Sequence, residues 1–159
     1  MNILLDSNVL LRLSLPNHPH SEDAANALEL LQTHHQCVIV PQTIYEFWVV
    51  ATRPIDANGL GYDARYAAQE RDSFSSLFRL LRDERAVYEQ WLGLIDSRQI
   101  KGARAHDVRY VAAMRRHGIT HFLTFNEQHF RGFDGVNVLT PTDVVRKQAV
   151  NPDFIESLS

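Results

Sequence analysis

A parallel β-sheet wrapped by helices on both faces is the fold class the sequence predicts, and three observations predict it. Short apolar runs without polar alternation, "NILL" (2–5) and "CVIV" (37–40), have the character of strands covered on both sides. Segments of helical period separate such runs, in the order strand, helices, strand, helices, strand, short helix, strand. At 159 residues and 45% hydrophobic content, the chain is long enough for one core and short for two. The expected division is one domain over residues 1–147 and a short polar C-terminal tail over 148–159.

Each element has a local reason. "NILL" is cut off by Asp6-Ser7-Asn8, a strand followed by a turn into a helix. "SEDAANALELLQTH" (21–34) predicts a helix: Ser21 suits an N-cap, Glu22 and Asp23 favour the positive end of the dipole, and Ala24, Leu28 and Leu31 form its apolar stripe. Pro41 closes the second strand and "TIYEFWVVAT" (43–52) follows as a helix, ended by Arg53-Pro54. Over 62–97 two amphipathic helices are expected. Phe74, Leu77, Phe78 and Leu81 mark the first, and Val87, Trp91, Leu94 and Ile95 the second. "AHDVRYVAAMRRHG" (105–118) is a helix closed by Gly118, and "ITHFLTF" (119–125) and "VNVL" (136–139) are the last strands.

Composition removes several function classes. No apolar run is long enough to cross a membrane, and "MNILLDSN" lacks the basic region and cleavage site of a secretory signal. The single cysteine, Cys37, forms no internal disulfide, so a reducing cytoplasm is the expected location. The net charge of −3 does not advertise nucleic-acid binding. Of the 16 basic residues only Lys101 and Lys147 are lysine, and the arginine fork suits bidentate phosphate contact as well as a solvated helix face.

Chemistry is suggested by acids at matching ends of successive elements. In an open parallel α/β sheet ligands bind beyond the carboxyl ends of the strands. Asp6 follows the first strand, Glu46 lies early in the helix after the second, and Asn126 follows "ITHFLTF". Asp107, in the first turn of its helix, joins them if that helix begins over the same edge. Crowded carboxylates raise one another's pKa unless a cation lies between them. Oxygen ligands without a Cys or His cluster suit Mg²⁺ or Mn²⁺, and such an ion assists phosphodiester hydrolysis. Taken singly, Asp6 serves equally as a helix cap, and Glu46 and Asp107 as partners of a helix dipole.

These residues also carry a family likeness. "ILLDSNVLL", "VPQTIYEFWVVATRP" and "HDVRYVAAMRRHGITHFLTFNEQHF" together resemble PIN-domain ribonucleases of the VapC toxin type, over roughly residues 1–145. The resemblance implies a three-layer α/β/α sandwich with a central parallel sheet, and a Mg²⁺- or Mn²⁺-dependent endoribonuclease. It places the catalytic set on Asp6, Glu46, Asp107 and Asn126, with Asp6, Glu46 and Asp107 as metal ligands. Asn126 departs from the aspartate more usual at its place. Ser7, Asn8 and Thr124 match small polar residues that orient ligands or water. The resemblance further implies an RNA substrate, an antitoxin protein as partner and a homodimer formed with help from the helices at 62–97.

Arg104, Arg109 and Arg131 near the expected rim suit RNA backbone or solvent equally, and His106 adjoins Asp107. His117 and His121 are separated by Gly118 and a turn, so they do not form a zinc pair on one helical face. Trp48 and Trp91 read as core. A phosphoacceptor receiver domain is a poor rival, because the first strand lacks an acidic pair and no lysine precedes Gln99. A catalytically inactive PIN-like binding module remains the alternative, on the strength of Asn126.

Overall fold

The computed structural model describes residues 1–158. Five strands form one sheet, β1 (Asn2–Leu5), β2 (Gln36–Ile39), β3 (Arg79–Leu80), β4 (His121–Leu123) and β5 (Asn137–Leu139), in the order β3-β2-β1-β4-β5. Every pairing is parallel, with Leu4 opposite Val38 on one side and Phe122 on the other. The helices are α1 (Ser7–Leu13), α2 (Ser21–Gln32), α3 (Pro41–Thr52), α4 (Ala64–Leu77), α5 (Arg85–Arg98), α6 (Arg104–His117), α7 (Glu127–Phe130) and α8 (Pro141–Val150).

Strand alternation divides the core into two layers. Ile3, Leu5, Cys37, Ile39 and Leu123 point into a cluster with Leu10, Leu28, Leu31, Phe47 and Phe74, under α1 to α4 and α8. Leu4, Val38 and Phe122 point the other way, against Val87, Leu94, Tyr110, Met114 and Phe130 of α5, α6 and α7. The three-layer α/β/α sandwich is therefore present, and it explains the unbroken apolar runs of β1 and β2. Gly118 ends α6 at φ +64°, a conformation that favours glycine.

The region 62–97 differs from the two continuous helices expected. The first ends at Leu77, and Arg79-Leu80 pairs with Val38-Ile39 as an edge strand before α5 begins. Phe78 and Leu81 are buried as the helical spacing suggested, but Leu77 is 65% exposed. Both β3 side chains are exposed, so this strand exists through backbone pairing alone and leaves no apolar signature. At the C-terminus, Pro141 stands at the first turn of α8 and Thr140 caps it by accepting from the Asp143 N–H at 3.1 Å. The segment read as a polar tail returns to the core. Ile155 is buried, and its carbonyl meets His35 Nε2 at 2.7 Å.

Candidate active site

The strand order reverses between β1 and β4, and at that point the carboxyl ends of the two strands open a crevice. Asp6 leaves β1 there, its N–H bonded to the Leu123 carbonyl at 3.0 Å. It occupies the N-cap position of α1, yet its side chain makes no capping hydrogen bond. The carboxylate instead accepts from three side chains: Thr124 Oγ1 at 2.6 Å and Asn8 Nδ2 at 2.9 Å on Oδ2, and Ser7 Oγ at 3.2 Å on Oδ1. Burial, opposed by these donors and reinforced by Glu46, raises the Asp6 pKa from 3.8 to about 6.

Glu46 reaches the same place from the second turn of α3. Ser7 Oγ lies 3.1 Å from its Oε2, so one hydroxyl stands between the two carboxylates. Tyr110 OH donates to Oε2 at 3.0 Å and Gln42 Nε2 to Oε1 at 2.7 Å. Burial, then the charges of Asp6 and Glu46, raise the Tyr110 pKa well above its ordinary value, so the phenol stays a donor. Gln42 Nε2 also reaches the His106 carbonyl at 2.8 Å, and this contact ties the start of α6 to the start of α3. Asp107 therefore begins over the edge that carries the other acids.

Asp107 keeps different company. Its Oδ2 lies 3.0 Å from His129 Nδ1 of α7 and 3.7 Å from Arg104 Nη1. Arg109 is held by Asp83 and donates to Gln42 Oε1 at 3.3 Å, so it steadies the residue that steadies Glu46. An open cleft of 700 Å³ is lined by Ser7, Gln42, Glu46, His106, Asp107 and Arg109. Asn126 is exposed at the start of α7. Its backbone N–H donates to Thr124 Oγ1 at 2.9 Å, and its side chain makes no cap bond.

Gln42, Tyr110 and His129 were not singled out in the sequence. Two of them had a spacing signal: Gln42 lies four residues before Glu46 and Tyr110 three after Asp107, both neighbours on a helix face. His117 and His121 are apart, the first on the Arg82 carbonyl and the second buried beside Thr120. Trp48 is half-buried under Arg71, and Trp91 is half-buried with its Nε1 on the Ala105 carbonyl at 2.8 Å.

The family profile described as PIN domain matches residues 3–136, most of the chain. The chain belongs to the PIN domain family. No curated protein matches it in sequence. Among solved structures the PIN fold recurs in VapBC2 from Rickettsia felis bound to a promoter DNA fragment. That match has a TM-score of 0.68 and 14% identity over 88% of this chain and 98% of that one. A toxin–antitoxin complex from Klebsiella pneumoniae gives a TM-score of 0.59 at 23% identity over 87% and 97%. VapC20 from Mycobacterium tuberculosis, a toxin that cleaves the sarcin–ricin loop, gives 0.61 at 16% over 85% and 98%.

PIN nucleases generally use a divalent metal. Among the described residues no three His, Cys, Asp or Glu side chains stand together as a site for one ion. Mg²⁺ nonetheless keeps several waters and takes only one or two carboxylates from a protein. The oxygen-only pair Asp6 and Glu46 has that donor chemistry. Their mutual repulsion across Ser7 is what a cation between them would reverse. The residues present fit the group.

Proposed function

We propose that this PIN domain is a metal-dependent endoribonuclease, the toxin of a toxin–antitoxin pair, that hydrolyses RNA phosphodiester bonds at the Asp6–Glu46 crevice. One observation carries the reading: two carboxylates joined by the single Ser7 hydroxyl at the switch point of the sheet, one of them buried with its pKa raised. Asp6 and Glu46 would hold Mg²⁺ or Mn²⁺, and Asp107 at the rim would act on the ion's outer water rather than as a direct third ligand. Such an ion, when bound, supplies charge stabilisation of the phosphoryl oxygens and a more acidic water.

The chain's own residues do the positioning. Thr124, Asn8 and Ser7 fix the Asp6 carboxylate, while Gln42 and Tyr110 fix Glu46, so neither reorganises when substrate arrives. Arg104 is 41% exposed beside Asp107, placed to meet an RNA phosphate. Arg109, already held by Asp83, serves Gln42 instead.

The deciding experiment is an RNA cleavage assay with purified protein. Cleavage is expected in Mg²⁺ or Mn²⁺ and lost in EDTA. Asp107→Asn, which keeps shape and removes charge, should lower the rate by orders of magnitude with the fold intact. Cleavage insensitive to EDTA and to this substitution would sink the metal mechanism.

Asn126 motivates the second reading, an inactive PIN-like binding module. If the nuclease reading holds, the amide leaves the protein relying on one tightly held ion. Asn126→Asp should then tighten Mg²⁺ or Mn²⁺ binding and raise or leave unchanged the rate at low metal, and Asn126→Ala should reduce activity less than Asp107→Asn does. A wild-type protein inert toward every RNA, with cleavage restored by Asn126→Asp, identifies a lost activity instead.

The partners follow from surface and fold. The structures from Rickettsia felis and Klebsiella pneumoniae are of toxin with antitoxin, and here Leu77, Leu80, Tyr88 and Leu92 stand exposed along α4, β3 and α5. We propose a homodimer and an antitoxin segment lying in a groove beside these helices, with an Arg or Lys reaching the acidic site. Light scattering should give twice the mass of one chain at micromolar concentration. A monomer, alone and with antitoxin, counts against the dimer.

A further inference from the structure

Three rings lie in a row on the β4 side of the acid site, with a cation on the adjoining face of α1, and the nuclease mechanism above uses none of them. Arg12 falls four residues after Asn8, so the two share a face of α1. Asn8 is already tied to the site: its Nδ2 donates to Asp6, and its Oδ1 accepts the Phe125 N–H at 3.2 Å. Phe125 in turn lies 5.2 Å, centroid to centroid, from the ring of His20, which is 5.6 Å from that of His18. Phe125, His20 and His18 thus form an aromatic strip that starts one residue from Thr124, a donor to Asp6.

One polar atom of this patch is unsatisfied. Arg12 Nε is buried without a hydrogen-bond partner, and a buried N–H left unpaired is unfavourable until something accepts from it. His18 Nδ1 accepts the His20 N–H at 3.1 Å, which in the neutral ring leaves Nε2 as the donor nitrogen. Burial, then the charge of Arg12, then His20, hold His18 below its ordinary pKa, which favours the neutral ring. Prolines at 16 and 19 restrict the loop that carries both histidines. His20 presents a side chain that is 52% exposed, its edge 3.5 Å from Asp23 Oδ2 and its face left for stacking.

We propose that Arg12, His18, His20 and Phe125 form an RNA subsite next to the reacting centre, in which Arg12 takes one backbone phosphate and the His20–Phe125 rings stack one base. This rests on the nuclease reading. The chemistry is that of single-strand recognition, in which a base lies on aromatic faces and a nearby cation holds the backbone. The half-buried Arg12 guanidinium, which makes no hydrogen bond or ion pair among the described residues, gains an acceptor at its outer nitrogens, and the stacked base gains a face that the solvent leaves open. A base held on this strip lies beside the scissile phosphate, so the subsite selects for unpaired RNA.

Two measurements on one fluorescein-labelled single-stranded RNA test it: anisotropy in EDTA for binding, and cleavage in Mg²⁺ for KM and kcat. His20→Ala and Phe125→Leu should each weaken binding by about 5- to 100-fold, the range for loss of one stacked base. In cleavage the loss should appear in KM with kcat unchanged. Arg12→Gln should reduce the slope of log affinity against log salt by about 0.7, one phosphate on a single strand. A scan of single abasic positions in the RNA adds a reading that a folding defect does not reproduce: one position weakens wild type and has no effect in His20→Ala. Because the His20 ring is half exposed, that variant keeps the test informative even if Phe125→Leu is unstable. RNA bound equally by wild type and all three variants overturns the subsite and leaves the nuclease reading standing. A wild type that neither binds nor cleaves RNA overturns both, and binding without cleavage, lost in the variants, keeps the subsite and overturns the nuclease.

Discussion

Asp6→Asn should abolish metal-dependent cleavage and at the same time make the metal-free protein more stable at neutral pH. The opposition follows from the site's electrostatics. Desolvation is the main reason Asp6 titrates near 6 in the folded chain, and the Glu46 charge adds to it. Between the unfolded value near 4 and the folded value near 6, the native state binds more protons than the unfolded chain. Stability in EDTA therefore falls as pH rises through that window, and the loss is complete above it. At 1.36 kcal/mol per pKa unit the penalty at pH 7.5 is about 3 kcal/mol. An amide removes the charge, and its oxygen still accepts from Thr124 and Asn8. Its NH₂ faces Ser7 Oγ, which can accept while donating to Glu46. Thermal melts in EDTA should show the variant more stable than wild type at pH 7.5, with the difference closing toward pH 4.5. A variant less stable than wild type at pH 7.5 would show that the hydrogen bonds outweigh the desolvation.

Phe122→Ala should cause the largest loss of stability. Phe122 is fully buried at the centre of β4, opposite Leu4, with its ring 4.6 Å from Phe130 and 5.2 Å from Tyr110. Removing an aromatic from such a position destabilises by about 3–5 kcal/mol, through lost transfer energy and the cavity left behind. In a domain of this size that is a fall in Tm of about 6–20 °C. Function should follow at one remove, because Tyr110 would lose the ring it packs on and Tyr110 holds Glu46. Urea unfolding should show a lower midpoint with an unchanged slope, and residual cleavage below the wild-type rate at a temperature where both proteins are folded. A shift under 1 kcal/mol would mean that α6 and α7 close over the gap.

Much of this was legible in the sequence because the signals are local. Unbroken apolar runs report strands covered on both faces, and β1 and β2 lie where "NILL" and "CVIV" predicted to within a residue. Gly118 marked the end of α6 in the same way, whereas Ser21, expected as a cap, is the first residue of α2: His20 holds the N-cap position and makes no side-chain cap bond. β3 escaped because a two-residue edge strand with exposed side chains is held by backbone hydrogen bonds, which any residue type supplies. α8 did carry a signal, Thr140-Pro141 with Asp143 behind it. The core role of Ile155 did not, since one apolar residue in a polar stretch has no period.

For the site, the sequence by itself determined which acids stand at the ends of which elements, since Asp6, Glu46 and Asp107 each follow a recognisable strand or open a helix. Only the tertiary structure decided how they are held. The β1–β4 switch point brings Thr124 to Asp6 across 118 positions, and the Gln42 bridge between α3 and α6 sets Glu46 and the start of α6 over one edge. It also turned Asp107 toward His129 rather than into a compact triad, made Arg109 a support for Gln42, and lined up His18, His20 and Phe125. The physical reason is range. Propensity, capping and periodicity act over a few residues and are written in the chain, whereas a hydrogen bond between distant side chains depends on strand order and register.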